Sequence, residues 1–130
     1  MICKFQPGDK KQYIKKVEAE DSAAFESGEV HPVYATFALA RDIEWAGRLF
    51  VLEMKEEDEE GIGTNLSIEH LQPALVGEEV SIESSILYID RNEVVCTYEV
   101  YVGDRLIAKG TQGQKILKKA ILDKKFNSLK

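Results

Sequence analysis

Two patterns of apolar and polar residues divide the chain. From residue 34 to residue 54 the sequence is rich in Ala, Leu, Glu and Arg and contains no proline, which is typical of one long helix. After Gly61 the apolar positions alternate with polar ones, and Val, Ile, Thr and Tyr become frequent, so the pattern predicts strands. These strands span residues 62–72, 79–90, 93–102 and 105–118.

The segments between the predicted strands are short and turn-like. They contain Pro73 to Gly77, Asp90-Arg-Asn and Gly103-Asp, and such short connections favour an antiparallel meander. One long helix beside an antiparallel sheet makes an α+β domain. The chain has 130 residues, and we identify no repeat or linker, so we expect a single domain over residues 1–130.

The remaining segments give weaker signals. Residues 10–18 predict a strand with polar edges, residues 21–25 predict one helical turn, and the Gly and Pro within residues 27–32 predict a loop. The acidic run at residues 56–60 precedes Gly61, and we expect it to end the helix as a solvated loop.

Composition and charge exclude several classes of function. The 17 Lys and Arg against 23 Asp and Glu give a net charge of −6, which argues against a general nucleic-acid binder. Two cysteines, Cys3 and Cys96, predict neither a disulfide framework nor a zinc ribbon, and two histidines predict no metal site. The sequence begins without the apolar run of a signal peptide and approaches no membrane span. We expect a cytoplasmic protein with no membrane partner.

A carboxylate falls within the apolar sector of the predicted helix. At about 100° per residue, Glu44 shares a sector with residues that should pack on the sheet, whereas Asp42 and Glu53 lie outside it. That sector contains Phe37, Ala40, Ile43, Gly47, Phe50, Val51 and Met54. Two interpretations are open. Either the helix is slightly rotated and Glu44 reaches a rim, or a partly desolvated pocket raises its basicity towards neutrality.

A histidine occupies the apolar face of the strand predicted at 62–72. Because side chains alternate along a strand, His70 shares one face with Ile62, Leu66 and Ile68. A lone histidine there is a common core residue. Together with Glu44, however, it predicts two ionisable groups on surfaces that pack together, both able to work near pH 7.

The start of the helix offers a third polar residue. Thr36 is a good N-cap, and a helix N-terminus can also hold a carbonyl oxygen, a carboxylate or a phosphate, so Thr36 can cap and still line a site. On the opposite side of the helix, Trp45, Leu49 and Leu52 indicate a surface that needs cover.

Five segments together resemble a known family. They are His31-Pro-Val-Tyr-Ala-Thr, Asp42-Ile-Glu-Trp-Ala, Gly63-Thr-Asn-Leu-Ser-Ile-Glu-His, Gly77-Glu-Glu-Val and Ala108-Lys-Gly-Thr. They resemble the hotdog-fold thioesterases, and most of all the branch typified by fluoroacetyl-CoA thioesterase, over residues 30–126. The threonine, glutamate and histidine of that branch fall at Thr36, Glu44 and His70 without a gap.

The resemblance implies a fold and a reaction. A long central helix would be wrapped by a mostly antiparallel sheet, two subunits would join their sheets, and acyl-CoA would bind at the subunit interface. Glu44 would act on the thioester carbonyl as nucleophile or as general base, with His70 positioning or protonating groups and Thr36 orienting Glu44 or the substrate. Gly63 matches a glycine whose backbone approaches the acyl group. No metal or cofactor is implied besides the coenzyme A of the substrate.

Departures from the branch and competing functions shape the expectation. No aromatic lid is evident around Val30 and Pro32, and Gln114 stands near a position where the branch can carry arginine, so both argue against a fluoroacyl substrate. We expect a homodimeric thioesterase for short or medium acyl-CoAs. The alternative is a non-catalytic acyl-CoA binding protein, while a hydratase of the same fold would need an Asp-x-x-x-x-His arrangement that neither histidine provides. The C-terminal Lys109, Lys115, Lys118 and Lys119 would receive coenzyme A phosphates or form a solvated basic tail.

Overall fold

The computed structural model describes the backbone of residues 1–130 and every side chain except that of Glu29. Eight strands, two α-helices and one 3-10 turn follow one another along the chain. The strands are β1 (Lys10–Lys16), β2 (Ser22–Phe25), β3 (Gly28–Tyr34), β4 (Glu59–Leu66), β5 (Glu69–His70), β6 (Glu79–Asp90), β7 (Glu93–Val102) and β8 (Arg105–Lys118). The helices are α1 (Thr36–Met54) and α2 (Lys119–Ser128), and the 3-10 turn is Ala19–Asp21.

The main sheet confirms the predicted antiparallel meander. Its strand order is β1-β6-β7-β8-β4, with the short β5 also paired to β8. Two-residue connections join the long strands, since Asp90 pairs with Glu93 and Val102 pairs with Arg105. Gly103 in the second connection has a φ of 57°, a left-handed conformation that glycine adopts without steric cost. With α1 packed on this sheet, the fold is α+β, as expected.

The segment before α1 differs from the prediction. Residues 21–25 do not form a helical turn, because the 3-10 turn ends at Asp21 and β2 follows it directly. Most of the loop predicted at residues 27–32 is strand, because β3 covers Gly28–Tyr34 and pairs with β2 in a separate antiparallel hairpin. Gly28 allows the tight reversal with a φ of 107°, so the glycine that suggested a loop serves a hairpin turn.

The predicted strand over residues 62–72 is interrupted. It is observed as β4, which already begins at Glu59 within the acidic run, and as β5. A register shift between Gly63 and Asn65 makes Thr64 an extra residue in the pairing with β8, which is a β-bulge. Because a bulge resets the alternation of side chains, the assignment of Ile62, Leu66 and His70 to one apolar face is wrong.

Two groups of buried residues pack between α1 and the sheet. One surrounds the first half of α1 and includes Leu39, Ile43, Ile82, Val100 and Ile107, while the other surrounds its second half and includes Phe50, Met54, Ile86, Val94 and Ile116. α2 follows β8 and buries none of its residues. No helix in the described part of the chain combines the length and apolarity needed to span a bilayer.

The core-facing side of α1 differs from the predicted sector. The buried residues include Ala38, Leu39 and Asp42, whereas Phe37 and Glu44 are exposed. At 100° per residue, the buried face is rotated by roughly 60° from the predicted one. The prediction that Glu44 lies inside the core-facing stripe and Asp42 outside it is therefore wrong. Of the two interpretations, the rotated helix with Glu44 at the rim describes this chain.

Candidate functional site

The first turn of α1 and strand β5 bring Thr36 and His70 together. The Thr36 hydroxyl lies 2.9 Å from His70 Nδ1, within hydrogen-bond distance. The predicted capping role of Thr36 is wrong, because the N-cap is Ala35 and Thr36 is the first helical residue. Its hydroxyl is instead engaged with the histidine, which restrains the orientation of the ring.

The other ring nitrogen of His70, Nε2, is buried and has no hydrogen-bond partner among the residues that the structure describes. Burial disfavours the charged imidazolium and lowers the pKa of His70 below its ordinary value of 6.5. At neutral pH the ring is therefore mostly uncharged, and Nε2 keeps its hydrogen-bonding capacity unused within the described residues.

Glu44 and the bulged strand β4 form a small cavity of about 300 Å³. It is lined by Glu44, Gly63, Thr64, Asn65, Leu66 and Gln112. The Glu44 carboxylate lies directly over Gly63, since a Cβ at that position would be 2.5 Å from Glu44 Oε1. Only glycine lets the strand and the carboxylate approach this closely.

The bulge beside Gly63 is held in place by a side-chain hydrogen bond. Thr64 donates its hydroxyl proton to Glu93 Oε2 on β7 over 2.7 Å. The sequence pattern does not reveal this contact, because Thr64 and Glu93 are separated by 29 residues and lie on different strands. The bond fixes the extra residue and with it the wall of the cavity.

Asp42, two residues before Glu44, belongs to a different polar group. It accepts hydrogen bonds from the Tyr34 hydroxyl and from Arg41, and Lys15 Nζ lies 3.3 Å from its Oδ2. Arg41 and Lys15 also contact Asp21, which is buried. Burial alone would raise the pKa of Asp21, but the hydrogen bonds from Arg41, from the backbone of Glu18 and from Lys15 together outweigh burial and hold that pKa below its ordinary value.

The predicted residues thus form two groups rather than one. Thr36 contacts His70, and Glu44 contacts Gly63. Within the described residues the Glu44 carboxylate forms no hydrogen bond or ion pair. Eight residues of helix separate Thr36 from Glu44, which is about 12 Å along the axis. The shared dry crevice expected for Glu44 and His70 is not formed in this single chain, where Glu44 is exposed.

The sequence pattern does not single out Gln112, and it marks Gln114 only as a departure from the branch, although both are buried amides beside the cavity. Gln112 and Gln114 of β8 are each 2% exposed, and the Gln114 amide contacts the backbone of Glu44. Glutamines at alternate positions on the buried face of a strand are a signal that the sequence contains. Gly110 and Gly113 in the same segment make this alternation of glutamines hard to recognise as a buried face.

The surfaces expected to bind partners are in part confirmed as exposed. Trp45 and Leu52 on α1 are 41% and 40% exposed, while Leu49 is half-buried. Ile62 and Leu66 on the edge strand β4, which were predicted to face the helix, are similarly accessible. Lys118 already forms an ion pair of 2.9 Å with Asp58. Among the described side chains, no group of three or more His, Cys, Asp or Glu residues could hold a metal ion.

Comparisons with known proteins give a consistent result. Residues 17–120, about four fifths of the chain, match the model of the family described as fluoroacetyl-CoA-specific thioesterase (FlK). A hypothetical protein of Thermus thermophilus, described as a thioesterase superfamily member, is 35% identical, and the alignment covers 98% of this chain and 95% of that one with a TM-score of 0.92. A comparison with curated proteins finds no match to this chain.

Two further solved structures share the fold at lower identity. The fluoroacetyl-CoA thioesterase FlK is 16% identical over 95% of this chain and 96% of that one, with a TM-score of 0.87. A hot-dog-like protein from Thermanaerovibrio acidaminovorans is 19% identical over 95% and 92%, with a TM-score of 0.86. These likenesses confirm the hotdog fold expected from the sequence.

Proposed function

The chain belongs to the fluoroacetyl-CoA-specific thioesterase family, and on that basis we propose that it is an acyl-CoA thioester hydrolase in which Glu44 performs the chemistry. The observation that carries this proposal is the unpaired Glu44 carboxylate over Gly63 at the wall of a small cavity. A carboxylate engaged in an ion pair would be a weaker base or nucleophile, whereas this one is free to react.

Two routes of hydrolysis fit a carboxylate at this position. As a general base, Glu44 would take a proton from water while the water oxygen bonds to the thioester carbon; the carbon–sulfur bond then breaks, and the thiolate leaves and is protonated. As a nucleophile, Glu44 would bond to that carbon itself and expel the thiolate, and water would hydrolyse the resulting anhydride. Both routes give a carboxylic acid and coenzyme A.

The Thr36–His70 pair would assist at the reacting centre. Nδ1 faces the threonine and the buried Nε2 has no hydrogen-bond partner among the described residues, so Nε2 is the nitrogen that a bound substrate would have to reach. A neutral imidazole at pH 7 can donate a hydrogen bond to a developing oxyanion, while the leaving thiolate is protonated by water. We assign His70 this role and assign Thr36 the role of orienting it.

The cavity favours a short or medium acyl group. About 300 Å³ lies at the lower end of small-molecule sites, so the acyl end rather than the whole coenzyme would occupy it. Variants of FlK have been solved with fluoroacetate and coenzyme A and with acetyl-CoA. The present chain has Val30, Pro32 and Gln114 at the positions that depart from that branch, so we do not assign it a fluoroacyl substrate.

A homodimer would complete the site. β4 is an edge strand of the sheet, and its exposed Ile62 and Leu66, like Trp45 and Leu52 of α1, would gain cover from a second copy. Pairing of two copies would also shield Glu44 from solvent. Light scattering at micromolar concentration should give twice the mass of the chain; a monomer that hydrolyses acyl-CoA would remove this part of the proposal.

The decisive experiment measures thiol release from a panel of acyl-CoAs that differ in chain length. Glu44→Gln should lower kcat by on the order of 10²–10⁴ for the best substrate, as expected for removing a working base. Its free energy of unfolding should change by less than about 0.5 kcal/mol, since Glu44 is exposed and unpaired. Glu57→Gln, which neutralises an exposed carboxylate in the loop after α1, is the matched control and should leave the rate unchanged.

Two outcomes would contradict the assignment. Equal, slow hydrolysis of every acyl-CoA by wild type and Glu44→Gln would exclude Glu44 as the reacting group. Thermal stabilisation by an acyl-CoA without any turnover would instead select the non-catalytic binding protein.

A further inference from the structure

Two buried amide side chains lie between strand β8 and helix α1, directly behind Glu44. Gln112 and Gln114 are separated by one residue, so they point to the same face of β8. Each is 2% exposed. Burying a primary amide is unfavourable unless its donors and acceptor are hydrogen-bonded, so what these amides contact accounts for their presence.

The Gln114 amide nitrogen makes two hydrogen bonds. It donates to the backbone carbonyl oxygen of Glu44 over 3.0 Å and to Gln112 Oε1 over 3.1 Å. In the middle of a helix, the Glu44 carbonyl already accepts the amide of Arg48 in the helical ladder. The bond from Gln114 is therefore an additional one, and it ties the sheet to the very residue that carries the reactive carboxylate.

Glycines on two elements make room for this contact. A Cβ at Gly47, one turn after Glu44, would overlap the Gln112 amide. A Cβ at Gly61 on β4 would lie 3.4 Å from Gln114 Oε1 and closer still to Val51. The helix, β4 and the two amides therefore fit together closely, which leaves the helix little freedom to rotate at this level.

We propose that Gln114, held by Gln112, is a positioning residue that fixes the rotation of α1 so that the Glu44 carboxylate lies over Gly63. The inference rests on the proposed function, because it assumes that Glu44 reacts. A side-chain end several ångströms from the helix axis moves by about 1 Å for a small helix rotation, and a displacement of that size at a reacting group can cost about 100-fold in rate.

The effect of Gln114 should appear in kcat rather than in substrate binding. Gln114→Met keeps the approximate volume and removes both hydrogen bonds. We expect kcat to fall by about 10- to 100-fold, while KM changes by less than about threefold because the acyl-CoA contacts remain. If the single variant fails to fold, Gln112→Met/Gln114→Met replaces both amides by apolar groups, leaves neither amide unpaired, and should show the same loss.

Two controls separate positioning from a merely structural role. Ile116→Val shortens the next buried side chain on the same face of β8, and it should lower stability without lowering kcat. In a Glu44→Gln background, Gln114→Met should lower kcat no further, because nothing reactive is left to position. A structural role would instead give additive losses.

The failure of this inference is distinguishable from the failure of the proposed function. Folded Gln114→Met that retains kcat within twofold of wild type, or losses that add to those of Glu44→Gln, would overturn the positioning role and leave Glu44 as the reacting group. Turnover that does not depend on Glu44 would overturn the proposed function and this inference with it.

Discussion

Asp42 and Glu44 are two carboxylates only two residues apart on α1, and the fold treats them in opposite ways. Asp42 is 4% exposed and is surrounded by Tyr34, Arg41 and Lys15. Glu44 is exposed, and its carboxylate lies over the backbone of Gly63. Both carboxylate oxygens of Asp42 accept hydrogen bonds, whereas the Glu44 carboxylate accepts none from the described residues.

The difference separates a structural carboxylate from a reactive one. A buried charge persists only when its partners compensate for lost hydration, and those partners also prevent it from taking a proton or attacking a carbonyl. A carboxylate that is to react must keep its lone pairs available, which it can do at a rim rather than in the core. The contrast predicts that substitutions at the two positions affect different properties: stability at Asp42 and rate at Glu44.

The largest effect on stability is expected at the buried carboxylate. Asp42→Ala leaves the Tyr34 hydroxyl without its acceptor and removes one of the two carboxylates that Lys15 and Arg41 contact. The free energy of unfolding should fall by about 3 kcal/mol, the low end for breaking a buried ion pair, because Arg41 is largely exposed and both cations keep Asp21. Denaturant unfolding would measure the loss. Activity per folded molecule should remain near that of wild type. A 100-fold loss of activity in a fully folded variant would mean that Asp42, like Glu44, is needed for catalysis.

A smaller, purely kinetic effect is expected from adding one methyl group under Glu44. In Gly63→Ala the new Cβ would press on Glu44 Oε1, and the flexible carboxylate would swing away from the cavity. We expect kcat to fall by about 10- to 100-fold with the fold retained, measured by thiol release. Combining Gly63→Ala with Glu44→Gln should give no further loss; an additive loss would mean that the methyl group acts elsewhere.

The pH dependence of the rate tests the Thr36–His70 pair. Since burial lowers the pKa of His70 below 6.5, the ring stays neutral at a pH where an exposed histidine is half protonated. If activity needs the neutral ring, the acid limb assigned to His70 in the kcat/KM profile should lie below pH 6.5. His31→Asn, which removes the exposed histidine, should leave the profile unchanged, while His70→Asn should remove that limb. A His70-dependent limb above pH 6.5 would contradict the role of burial.

Much of the fold follows from local patterns. The bounds of β6, β7 and β8 agree with the alternation of apolar residues and their turn signals, and α1 differs from its prediction by two residues. The predicted and observed bounds of these elements agree because buried positions recur along each of them at a regular spacing. The bulge at Thr64 breaks this regularity through a contact with Glu93, which no local pattern contains.

The candidate site was harder to read for a related reason. Tyr34, Arg41 and Lys15 come from separate segments, and only their meeting makes Asp42 a suitable core residue. When those partners are not known, the positions of the apolar residues alone predict a helix orientation in which Asp42 faces solvent. That orientation also places Glu44 towards the core. The unforeseen contacts of Asp42 therefore account for the wrong placement of both Asp42 and Glu44.

The smallest effect is expected where a carboxylate is paired but not buried. Asp58 Oδ2 lies 2.9 Å from Lys118 Nζ, and 66% of the Asp58 side chain is exposed. Asp58 is therefore ion-paired like Asp42 but solvated like Glu44. Because water screens such a pair, Asp58→Asn should shift the midpoint of thermal unfolding by less than about 2 °C and leave kcat unchanged. Calorimetry of Asp58→Asn and Asp42→Ala under the same conditions compares their midpoints of thermal unfolding directly. A shift as large as that of Asp42→Ala would mean that pairing alone, and not burial, distinguishes the structural carboxylate from the reactive one.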